Sequence, residues 1–138
     1  MRVYVKDFVI LPKCLVDRAI GHATIEAGGV EMQRHGQVIR LKPGMLEEYK
    51  RYHAAVWPEV ADQIRACNIR NYNIYHHDGM LFASMEYVGD DFEADMKKMA
   101  DHRKTQEWWN VMMPMQEPLP TRAEGEWWAE MDEVFHQE

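Results

Sequence analysis

The chain predicts an α+β fold, a ferredoxin-like βαββαβ antiparallel sheet with helices on one side, paired into a dimeric α+β barrel. Three observations carry that prediction: an alternating segment leads into a helical one, a His77-Asp78-Gly79 turn joins two strand patterns, and a second helical region precedes a last alternating segment. A chain of 138 residues has room for one core rather than two.

The first strand is expected over Arg34–Lys42, where the residues alternate until Lys42-Pro43-Gly44 breaks them. Met45, Tyr49, Tyr52, His53, Val56, Val60, Ile64 and Cys67 then recur at helical spacing on one face, with Glu47, Glu48, Lys50 and Arg51 elsewhere. Pro58 inside that pattern predicts a kink or restart near Trp57. Asn71–His76 reads as a strand, and the turn leads into a second strand, MLFASMEYV. Asp90 or Asp91 can cap a helix burying Phe92, Met96, Met99 and Ala100, and a short helix is expected over Thr105–Met113. Pro114, Pro118 and Pro120 impose irregular backbone. In the last segment Trp127, Ala129, Met131 and Phe135 share one parity and Glu126, Glu130, Asp132 and His136 the other, as in a final strand. One layer of helices leaves the opposite sheet face open, and a homodimer is the simplest cover for it.

Composition narrows the function classes. Sixteen Lys and Arg stand against 23 Asp and Glu, a net charge of -7, with no basic run to follow a phosphate backbone, so nucleic acid is not an expected partner. Charged residues interrupt the apolar N-terminal stretch at Lys6, Asp7, Lys13, Asp17 and Arg18, so neither a signal segment nor a membrane span is expected. Cys14 and Cys67 lie far apart, outside any CxxC spacing, which fits a reduced, cytoplasmic protein.

Several residues invite a chemical reading. Tyr49 and His53 are one helical turn apart, although a histidine on an aromatic helix face is more often a packed side chain than a catalyst. Trp108 and Trp109 point about 100° apart, so at most one lies fully in the core. From spacing alone, core plus interface is the plainer reading of the pair. His76 and His77 face opposite sides of a strand and read as a solvated turn beside Asp78 rather than as metal ligands. Cys67 has no activating motif, and the methionines from Met96 to Met115 read as core filler.

Taken together, EEYKRYHAAVWPEV from Glu47, IRNYNIYHHDGMLFASMEY from Ile69, TQEWW from Thr105 and EVF from Glu133 resemble the L-rhamnose mutarotase family. The ordered set of Tyr-x-x-x-His, Trp-Pro, Asn-Tyr, Trp-Trp and Val-Phe is far more specific than any one piece. The resemblance implies a dimeric ferredoxin-like enzyme that interconverts the α and β anomers of a 6-deoxy sugar without a cofactor or metal. It makes His53 the proton donor, with Tyr49, Tyr72, Trp108 and Trp109 binding the sugar. A group titrating near neutrality suits a reaction in which protons move both ways.

The segment MQEPLPTRAEGEWWAE departs from the short bacterial pattern, so an L-fucose mutarotase is the alternative. A cofactor-independent monooxygenase and a non-catalytic small-ligand-binding module on the same fold are the remaining ones. The resemblance begins near Met32. Residues 1–31 therefore read as an N-terminal extension, with Met32 the expected initiator and 32–138 the mutarotase domain; a genuine extra strand and helix is the other reading.

Overall fold

The computed structural model describes residues 31–138, so the expectations for the N-terminal extension, Cys14 included, lie outside the described residues. The elements are β1 (Gln33–Leu41), α1 (Leu46–Ala54), α2 (Pro58–Ala66), β2 (Ile69–His77), β3 (Met80–Tyr87), α3 (Phe92–Asp101), α4 (Arg103–Met112), a 3-10 turn (Met113–Met115), β4 (Gln116–Glu117) and β5 (Ala129–Met131). The strands pair antiparallel in the order β2-β3-β1-β4, with β5 also on β1. This is the ferredoxin-like order, its last strand divided into two short pieces.

Each boundary has a local cause. Trp57 precedes α2 with φ -58° and ψ 130°, and Pro58 starts that helix where a missing N–H costs nothing. The expected kink is thus a complete break. Asp78 and Gly79 both have positive φ, 49° and 73°, the two-residue turn that matches the twist of a hairpin. Asp91 caps α3 by accepting from the Ala94 N–H at 3.0 Å, a contact of about 1 kcal/mol.

Alternation gives the sheet an inner, helix-covered face and an outer one. Inward, Ile39, Leu41 and Leu81 pack with Tyr49, Val60, Trp108, Met112 and Met115. Cys67, Ile69, Tyr87 and Met96 form a second cluster. Beside it the buried Asp95 accepts from Asn68, Tyr87 and Lys98, an internal polar anchor on α3. Outward, one row crosses four strands: Tyr75 pairs Phe82, Phe82 pairs Val38, and Val38 pairs Ala129.

The final strand is shorter than expected. Its ladder ends at Met131, and Val134 and Phe135 are 95% and 79% exposed. Beyond Met131 a side-chain contact replaces backbone pairing, the Arg34 guanidinium donating to both carboxylate oxygens of Glu133 at 2.8 and 2.9 Å.

Candidate active site

Between the helices and the inner sheet face lies a cavity of about 610 Å³, lined by Tyr49, His53, Tyr72, Trp108 and Trp109 among others. All five residues singled out in the sequence therefore meet at one place. Tyr49 and His53 come from successive turns of α1, with their rings stacked at 4.3 Å. Trp108 meets His53 edge-on at 5.3 Å and is itself held edge-on by Trp57 at 5.3 Å. It is buried, whereas Trp109 is half-buried, as two rings 100° apart on a helix must be.

Tyr72 reaches the cavity because β2 is irregular. Between Arg70 and Asn73 the register with β3 slips by one residue, at Asn71 with φ 47°. Strict alternation from the buried Ile69 would point Tyr72 outward; the extra residue turns Tyr72 and Ile74 to the inner face and leaves Tyr75 exposed in register with Phe82.

The hydrogen bonds fix the polarity of the site. His53 Nδ1 lies 2.8 Å from the Tyr49 carbonyl, which can only accept, so Nδ1–H donates. In the neutral ring Nε2 is then a lone-pair acceptor. Burial pulls the His53 pKa below its ordinary value, only partly offset by the bond to Tyr49, and favours that neutral form. Tyr49 is buried, and its phenol is pushed up by burial and by the nearby Tyr72. Tyr72 keeps 41% of its surface exposed, and partial desolvation pushes its phenol up to about 12.

Two residues at this site were not singled out from the sequence. Gln116, buried, donates through Nε2 to the Tyr49 hydroxyl at 3.1 Å and accepts at Oε1 from the Trp127 indole N–H at 2.8 Å. Both lie in the stretch MQEPLPTRAEGEWWAE, where Trp127 reads only as a final-strand residue and Gln116 is a lone amide beside Met115. His76 and His77 are exposed, and among the described residues no group of three or more His, Cys, Asp or Glu could hold a metal ion. Cys67 is buried, its thiol pushed up by burial and accepting from Gln63 at 3.3 Å, the setting of an inert thiol.

Fold and site together define an α+β-barrel protein with an aromatic cavity around a neutral histidine and two phenols. The chain belongs to the L-rhamnose mutarotase family, whose model matches residues 34–137. An L-rhamnose mutarotase of Listeria monocytogenes serotype 4b (strain F2365) is 33% identical over 107 residues, 76% of this chain and 98% of that one. One of Sinorhizobium fredii (strain NBRC 101917 / NGR234) is 33% identical over 108 residues, 76% and 98% of the two chains. The crystal structure of L-rhamnose mutarotase FA22100 from Formosa agariphila shares the fold, with a TM-score of 0.62 at 23% identity over 77% of this chain and 99% of that one.

Proposed function

We propose that the protein interconverts the α and β anomers of L-rhamnose, with His53 as the acid/base group and Tyr49, Tyr72, Trp108 and Trp109 binding the sugar. The observation that carries this reading is the orientation of His53: Nδ1 is committed to a backbone carbonyl, so Nε2 is the ring nitrogen left for a ligand in the cavity. In ring opening Nε2 takes the proton of the anomeric hydroxyl. The C1–O5 bond breaks as C1=O1 forms, and O5 receives a proton. After rotation of the aldehyde, O5–H adds to the other carbonyl face and gives up its proton. The His53 imidazolium then donates to O1, so one residue is acceptor in opening and donor in closure. Trp109 offers its indole face to the C–H groups and the methyl of the sugar, while Trp108 backs His53.

The protein acts as a homodimer in the cytoplasm, within rhamnose metabolism. Support for the dimer comes from the outer face, where Tyr75 is 64% and Phe82 36% exposed on one continuous row. Support for a reducing compartment comes from the free buried thiol of Cys67. Saturation transfer between the anomeric proton resonances tests the activity. Exchange is expected above the spontaneous rate with L-rhamnose and to a lesser degree with L-fucose. Faster exchange with L-fucose would reassign the sugar, and spontaneous rates with both would leave a binding module.

A further inference from the structure

We propose that Gln116, oriented by Trp127, is a positioning residue that turns the Tyr49 hydroxyl into an obligatory hydrogen-bond donor toward the cavity. The inference rests on the mutarotase reading and supplies the partner of His53 that the reaction needs at the ring oxygen.

It follows from what each group can and cannot do. An indole N–H only donates, so the Gln116 atom 2.8 Å from Trp127 Nε1 must be the carbonyl Oε1. That contact fixes the amide, and the group 3.1 Å from the Tyr49 hydroxyl is therefore the NH₂, which also only donates. Tyr49 Oη accepts it. Its own proton cannot lie on that bond and points elsewhere, toward the cavity that Tyr49 lines. One turn further along α1, His53 is fixed with the opposite polarity, its cavity-side Nε2 an acceptor.

A donor and an acceptor thus stand together on stacked rings. Opening a pyranose needs this combination: the acceptor removes the O1 proton while the donor supplies one to O5 as the C1–O5 bond breaks. Closure on the other face returns both protons. A site with two acceptors or two donors would stall, so fixing the sense of Tyr49 in advance lowers the barrier without any rearrangement during the reaction. The other titratable neighbours of the Tyr49 phenol are Tyr72, which lines the same cavity, and His53, stacked on its ring.

Gln116→Glu reverses the polarity at nearly constant shape. The introduced carboxylate accepts from Trp127 and also from Tyr49, drawing the Tyr49 proton away from the sugar. Exchange at saturating L-rhamnose should fall about 10²-fold at neutral pH with sugar affinity little changed, and the melting temperature should drop because the new carboxylate is buried. The ratio of variant to wild-type rate should rise as pH falls, because the protonated carboxyl again donates to Tyr49. A wild-type rate, or a ratio independent of pH in a folded, sugar-binding variant, overturns the proposal. If Gln116→Glu does not fold, Trp127→Phe keeps an aromatic ring against the core and removes the N–H that orients the amide, and exchange should drop about threefold to tenfold at unchanged affinity. No drop there overturns the proposal equally. Wild-type protein without activity on L-rhamnose would overturn the functional reading and this inference with it, whereas active wild type with indifferent variants sinks the inference alone.

Discussion

At His53, a histidine on an aromatic helix face, burial and one backbone hydrogen bond together set the state of the ring. Burial lowers its pKa, and the Tyr49 carbonyl holds Nδ1–H, so the ring is neutral with its free lone pair at Nε2. The sign of the pH response follows. Opening starts from neutral His53, so exchange should hold above its depressed pKa and fall as pH drops through that value. The acid limb should lie below the ordinary histidine value of about 6.5. The unfolded chain takes up this proton first, so the stability His53 contributes is fully present above about pH 6.5 and is lost as pH falls through the unfolded and then the folded value. A rate-pH profile checks the limb, and a limb above 6.5 would mean that His53 is not the desolvated group described. At this scale Tyr49 and His53 were legible because their relation is local, one turn of one helix. Gln116 was not, since its partner Tyr49 is 67 residues away and no local pattern encodes that contact.

Among the elements, α4 makes the sharpest prediction, because it presents two adjacent indoles to different surroundings. Trp108 is buried against His53, Trp57 and Tyr52. Trp108→Ala should lower stability by about 3–5 kcal/mol, read as a fall in melting temperature. Trp109→Ala should leave the melting temperature nearly unchanged and weaken L-rhamnose binding by about 1–3 kcal/mol, read by fluorescence titration. Loss of stability at Trp109 instead, with sugar affinity untouched at both positions, would return the pair to core and interface. The helices and the hairpin were readable because periodicity, Pro58 and Asp78-Gly79 act locally. Two features resisted. The bulge at Asn71 uses no glycine and leaves the strand composition unchanged, so β2 was expected to start there rather than at Ile69. The last strand was overextended because its alternation continues past Met131 although its backbone pairing with β1 does not.

For the molecule as a whole, one side of the sheet holds the cavity and the other carries the Tyr75–Phe82–Val38–Ala129 row. If that row joins two copies, sedimentation should report about twice 16.3 kDa, and Phe82→Glu should shift the mass to the monomer by burying an unpaired charge in the contact. A wild-type monomer at micromolar concentration would remove the dimer. On the other side α1, β2 and α4 bring residues from Tyr49 to Trp109 around one volume. The decisive measurement is anomeric exchange of L-rhamnose by saturation-transfer NMR, wild type beside His53→Ala. Wild type should exceed the spontaneous rate, and His53→Ala should lose about 10²–10⁴-fold with its melting curve intact. Near-wild-type exchange in folded His53→Ala would contradict the account.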